Sequence, residues 1–182
     1  NITSNQYRTA SDNALRHIIE LAHSLGIRVV LVPFVTLSND PDHSWVQIGS
    51  AFTSQTQWQE WFASYRGHIN RYASLAQEAG ADMFYVGSEL PGTTHREDDW
   101  RRVIKEVRER FKEPISYDSV FWGNPTAEYK RIKFWDALDY IATDFWYPLT
   151  NKSDPTVEEL KQGWINTGFL MSLEDVSKQF NK

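Results

Sequence analysis

Along this chain, amphipathic helical stretches alternate with short, nearly unbroken apolar runs, and that alternation limits the fold more than any other feature. Residues 11–25 place Leu15, Ile18, Ile19, Ala22 and Leu25 at helical spacing, and Gly26 supplies a stop. The run IRVVLVPFV at 27–35 follows at once, in the pattern of a parallel strand buried on both faces. Pro33 falls near its end, where a missing N–H is tolerated. A second helix at 56–79, closed by Gly80, leads to a strand around 82–88. A third helix at 96–111 leads through Pro114 into PISYDSVFW. A short polar segment and the helical FWDAL precede a fourth strand at 139–149, and helical stretches at 156–165 and 170–180 follow.

Repeated helix-then-strand units define an α/β chain, either a barrel or an open doubly wound sheet. Neither GxGxxG nor GxxxxGK[ST] occurs, so the nucleotide-binding version has no support. The junction RFKEPISYDS at 110–119 runs from helix through Lys and Pro into strand, and the terminal QFNK resembles the start of another such junction. Four strands cannot close an eight-stranded barrel. The expectation is therefore a (β/α)8 TIM barrel only partly represented, with residues 1–182 a partial catalytic domain and barrel units missing at both ends. Such a piece exposes apolar strand edges, through which it can associate with another copy in a non-native way.

A net charge of -5, from 24 acidic and 19 basic side chains, gives no field suited to a nucleic-acid backbone. There are no cysteines, which excludes disulfides and thiolate chemistry. No apolar run reaches the roughly 18 residues of a membrane span, and the first residues lack a signal-peptide pattern. A soluble protein, cytoplasmic or exported, is the expectation. Aromatic residues make up 14% of the chain, and rings together with carboxylates suit a carbohydrate cleft as well as a core.

The C-terminal ends of the strands carry the candidate site. Glu89, in FYVGSELPG, directly follows an apolar strand, so its carboxyl reads either as catalytic or as an exposed or capping group. Gly87 and Ser88 are expected to leave room beside it for a substrate. The other strand ends contribute Thr36, Asn39 and Asp40, then Tyr117, Asp118, Trp122 and Asn124, then Asp144, Trp146 and Tyr147. Trp45, Trp122 and Trp146 follow strands and are the candidate sugar platforms, whereas Trp58, Trp61 and Trp100 lie on helices and are expected to pack against the sheet. The five histidines form no HExxH and no His/Asp cluster, so no metal and no other cofactor is expected; His43 and His95 alone sit in strand-following loops.

In this order the segments VVLVPFV, WFASYRGHINRYASLAQEAGADMFYVGSEL, ISYDSVFW and FWDALDYIATDFWYPL resemble glycoside hydrolase family 113, the β-mannanase family. The resemblance spans nearly the whole chain and implies barrel strands three to six. It implies a retaining hydrolase of β-linked glycosides, with an oligo- or polysaccharide substrate and Glu89 as acid/base. Tyr117, Trp122, Trp146 and Tyr147 would line the cleft, while the nucleophile glutamate would follow strand seven, beyond Lys182. The chain departs from the family at Val32, Pro33 and Phe34, where Lys-Pro-His is typical. Two other readings stay open: a non-catalytic carbohydrate-binding protein on a decayed barrel, and an α/β domain with an unrelated ligand.

Overall fold

The computed structural model describes residues 9–37, 44–120 and 127–182. Ten labelled elements follow one another: α1 (Asp12–Ser24), β1 (Val30–Leu31), α2 (Gln55–Ala79), β2 (Met83–Ser88), α3 (Glu97–Arg110), β3 (Ile115–Ser119), α4 (Glu128–Arg131), β4 (Ala142–Thr143), α5 (Val157–Asn166) and α6 (Phe169–Phe180). Single 3₁₀ turns at Trp45–Gln47 and Trp135–Ala137 interrupt the connections.

Local chemistry fixes the helix ends. The Ser11 hydroxyl accepts from the Ala14 N–H to start α1, and Gly26 at φ 71° stops it. Ser54 and Gln57 form a reciprocal capping box at the start of α2, and left-handed Gly80 ends that helix. In α3, Glu97, Asp98 and Asp99 occupy the positive end of the helix dipole, while Arg108 and Arg110 occupy the negative end.

The four strands are parallel and lie in chain order, β1-β2-β3-β4. A doubly wound sheet would reverse its order at a switch point and carry helices on both faces. Here α2 and α3 pack on one face, through Trp58, Phe62, Tyr65, Trp100, Val103 and Val107. The opposite face holds Val30, Val32, Tyr85, Asp118, Ala142 and Asp144 around an open depression of about 540 Å³, which Trp164 of α5 and Phe169, Leu170 and Leu173 of α6 also line. Consecutive parallel order without a switch point, with helices flanking the sheet, is part of a (β/α)8 barrel, not closed among the described residues.

The helical face is an aromatic cage. Trp100 meets Tyr65, Tyr117 and Phe134 at centroid distances of 5.5, 5.2 and 5.5 Å. Trp61 stacks on Tyr65 at 4.9 Å. These helix-borne tryptophans pack as the sequence pattern expects. A further helical contact lies beyond β4, where Phe145 stacks on Trp164 at 4.3 Å and meets Phe169 at a tilt at 4.5 Å.

Two strands differ from the sequence reading. The run at 27–35 pairs only at Val30–Leu31, and Val30, Val32 and Phe34 are exposed on the open side instead of buried on both faces. The run at 139–149 pairs only at Ala142–Thr143, because β4 has a single neighbour and its later residues pass the end of β3.

Candidate active site

The end of β2 sets the geometry. Tyr85 pairs with Ser116 but Ser88 pairs with Asp118, so β2 spends three steps where β3 spends two. This bulge turns Gly87 onto the helical face. A Cβ on Gly87 would stand 2.7 Å from Trp100 Cη2, 2.9 Å from Tyr117 Cε2 and 3.0 Å from Tyr65 Oη. The room at Gly87, expected to serve a substrate, is therefore taken by the aromatic cage. Bulges re-aim the residues that follow them, and the next residue, Ser88, donates from its hydroxyl to Asp118 Oδ2 at 3.1 Å.

Glu89 then adopts a left-handed backbone at φ 51° and is 6% exposed. Its N–H donates to the Asp118 carbonyl at 2.8 Å. Its Oε2 accepts from Trp45 Nε1 at 2.7 Å. Burial raises the Glu89 carboxyl above its ordinary pKa of 4.5; the indole N–H opposes that shift and the charge of Asp144 adds to it. Asp118 is pushed up to about 6, first by burial and then by Asp144, with the Ser88 hydroxyl opposing. Three carboxyls thus share one rim, two of them biased toward the protonated form.

Trp45 reaches Glu89 because two loops meet without side chains between them. A Cβ on Gly92 would stand 2.4 Å from the Ile48 carbonyl oxygen, and one on Gly49, at φ 92°, would stand 2.9 Å from the Gly92 carbonyl oxygen and 2.8 Å from Trp58 Cη2. The loop after β1 therefore lies directly on the loop after β2. Phe34 meets the Trp45 ring edge-on at 5.0 Å, so the departure from Lys-Pro-His places a hydrophobic buttress behind the indole.

The remaining expected residues divide. Asp144 lies on the open face, accepts from Trp146 Nε1 at 3.3 Å, and acts electrostatically on both Glu89 and Asp118. Trp146 is 82% exposed and Tyr147 is 55% exposed, so both rings face the solvent beyond β4. Tyr117 does not line the cleft. It is 0% exposed and points to the helical face, because in β3 it alternates with Asp118, whose carboxyl takes the open side. Its hydroxyl accepts from the Leu90 N–H at 2.7 Å and donates to Glu128 Oε1 at 2.7 Å. His95 packs edge-on against Trp58 at 5.1 Å. Asn39, Asp40, His43, Trp122 and Asn124 lie outside the described residues.

Sequence reasoning missed Glu128. It sits on the single-turn α4, fully buried, and burial pushes its carboxyl up to about 7 against hydrogen bonds from Tyr117 and the Val120 N–H. Its one sequence signal is an acidic residue flanked by Ala127 and Tyr129. Among the described residues, no group of three or more His, Asp and Glu could hold a metal, and no helix is long and apolar enough to cross a membrane.

Helices flanking a consecutive parallel sheet define a partial (β/α)8 barrel, and the carboxyls gathered at its strand ends form the candidate site. The family model described as Glycoside Hydrolase Family 113 matches residues 1–182. The chain belongs to that family. Two solved structures, both described as GH113 beta-1,4-mannanase, are each 30% identical to it. The first, a complex, superposes with a TM-score of 0.76 over 100% of this chain and 54% of the other; the second gives 0.71 over 93% and 49%. The GH113 beta-mannanase AaManA from Alicyclobacillus acidocaldarius, in complex with ManMIm, gives 0.75 at 28% identity over 100% and 52%. The chain spans about half the length of these structures. No curated protein sequence matches it.

Proposed function

We propose that this chain is part of a retaining glycoside hydrolase that cleaves β-linked glycosides, with β-mannan the first substrate to test. The observation that carries this reading is Glu89, a nearly buried strand-end carboxyl whose pKa is raised mainly by burial and whose direction is held by the Trp45 indole. A general acid must hold its proton near working pH, and burial supplies that bias. Protonated Glu89 donates to the glycosidic oxygen while a glutamate beyond Lys182 attacks the anomeric carbon. Glu89 then takes a proton from the water that hydrolyses the glycosyl-enzyme. In this mechanism the two carboxyls stand roughly 5 Å apart.

The similarity to structures described as β-mannanases supports the substrate class, and a chain about half their length supports a partial domain whose other barrel units lie elsewhere in the protein. In this reading Trp45, Asp144, Trp146 and Tyr147 contribute to the sugar cleft, joined by Asn39 and Trp122. Trp45 does so with the ring left after its N–H is committed to Glu89, and Trp146 and Tyr147 as exposed platforms.

The test begins with the complete coding sequence. A strand and a glutamate encoded directly after Lys182 support the two-carboxylate mechanism; their absence sinks it and moves the reading to carbohydrate binding without catalysis. In the full-length protein, Glu89→Gln is expected to abolish most hydrolysis of β-mannan oligosaccharides while sugar binding persists. Full activity in that variant removes Glu89 from the role.

A further inference from the structure

Glu89 is one of two non-glycine residues at positive φ among the described residues; the other, Asn181, follows α6. A left-handed backbone at a non-glycine residue is disfavoured and persists only where the surroundings over-determine it. At Glu89 they do so through two successive amides. The Glu89 N–H is held by the Asp118 carbonyl, and the Leu90 N–H is held by the Tyr117 hydroxyl at 2.7 Å.

A phenol can keep its lone pair on Leu90 only if its own proton points elsewhere. That proton goes to Glu128 Oε1 at 2.7 Å, and Glu128 Oε2 accepts from the Val120 N–H at 2.6 Å. Tyr117, Leu90 and Glu128 are all 0% exposed. Every donor and acceptor in this chain of bonds has its partner, so removing any member strands a buried polar group. Glu128 spends its carboxylate on a phenol and a backbone amide, an expensive choice for a core position on a helix of four residues. A hydrophobic side chain would fill the same space at lower cost, yet could not orient the Tyr117 proton.

We propose that Glu128, acting through Tyr117, is a positioning residue that fixes the Glu89–Leu90 peptide and thereby aims the Glu89 carboxyl. The proposal rests on the reading of Glu89 as acid/base. Glu128 lies behind β3, with Tyr117 on the helical face of the sheet, and acts only through the backbone that presents Glu89. Burial raises its pKa to about 7, and the two bonds it accepts oppose that rise.

The experiment uses Tyr117→Phe and Glu128→Gln in the full-length protein. On a β-1,4-linked manno-oligosaccharide, kcat is expected to fall about 10- to 100-fold with KM nearly unchanged, the signature of a misaimed catalytic group in a folded site. On a dinitrophenyl glycoside, whose leaving group needs no proton, the loss should shrink to a few-fold. Hydrogen exchange at the Leu90 amide should accelerate at least tenfold relative to neighbouring β2 amides. If Tyr117→Phe does not fold, Glu128→Gln, which leaves the phenol in place, carries the test. Folded variants with full kcat and an unchanged leaving-group dependence overturn the proposal, as does a Leu90 amide protected as in the parent. If Glu89→Gln proves fully active, the acid/base premise fails on its own, and exchange at Leu90 still decides whether Glu128 holds this peptide.

Discussion

Adding one methyl group at Gly87 tests the geometry that places Glu89. The Cβ of an alanine there would lie 2.7, 2.9 and 3.0 Å from atoms of Trp100, Tyr117 and Tyr65, all well inside the 3.5–4.0 Å at which carbon atoms pack best. None of the three rings can yield outward, since each is fully buried and Trp100 is wedged between Tyr65 and Phe134. Overpacking of this kind costs about 1–3 kcal/mol. Displacing Tyr117 also weakens its bond to the Leu90 N–H, worth about 1 kcal/mol. Against this stands the smaller conformational freedom of unfolded alanine, worth about 0.4–1 kcal/mol. The expected balance is a loss of about 2 kcal/mol, read as a lower urea midpoint with an unchanged slope. Gly67→Ala is the matched control. Gly67 lies within α2 with nothing within 4 Å of its Cβ position, so the same methyl should stabilise by about 0.5–1 kcal/mol. A Gly87→Ala protein within about 0.5 kcal/mol of the parent, beside a stabilised Gly67→Ala, would refute the argument that the bulge turns Gly87 into the cage.

Three further outcomes follow from the same geometry. Trp45→Phe keeps a ring against Phe34 but removes the N–H that lowers the Glu89 pKa, so the basic limb of the kcat/KM profile should move to higher pH; a limb that stays put rules out that hydrogen bond. Glu128 titrates at about 7 when folded against 4.5 in the unfolded chain, so the folded state binds the extra proton between these values. Stability should fall by up to about 3 kcal/mol as pH rises from about 4.5 to about 7 and level off beyond, a slope that Glu128→Gln removes in urea titrations; an equal slope in both proteins contradicts it. Gly92→Ala sets a methyl 2.4 Å from the Ile48 carbonyl, so it should cost about 1–3 kcal/mol and lower kcat as Trp45 leaves Glu89; an unchanged thermal midpoint would show that the two loops are not in contact.

The barrel was legible because its signals are local and repeated. Apolar runs flanked by capped amphipathic helices require only short-range patterning, and Gly26 and Gly80 marked helix ends where the backbone does turn left-handed. Strand extent was not legible. The runs at 27–35 and 139–149 are equally apolar along their length, but pairing depends on a neighbour in register, and only two residues of each find one. Apolar content reports that a segment can be a strand, and the adjoining strands decide how much of it is.

The site divides along the same line. Glu89 stands out as a candidate because a carboxyl directly after an apolar strand is visible in a window of ten residues. What makes its carboxyl unusual is distant in sequence: Trp45 is 44 residues upstream, and Asp144 lies on β4's continuation. Tyr117 was misjudged by one step of strand alternation, since a residue at the rim faces either the cleft or the helices and aromatic character does not say which. Glu128 escaped altogether, because four helical residues carry no period and burial alone separates its carboxylate from a surface one. The relation between Tyr117 and the Glu89–Leu90 peptide runs through the Gly87 bulge. One extra residue in β2 turns Gly87 into the cage beside Tyr117, ahead of the rim residue Ser88 and left-handed Glu89, and lets the Leu90 amide meet the Tyr117 hydroxyl. The strand-end carboxyl and the buried Glu128 are thus two ends of a single backbone irregularity, and a change at either end should be felt at the other.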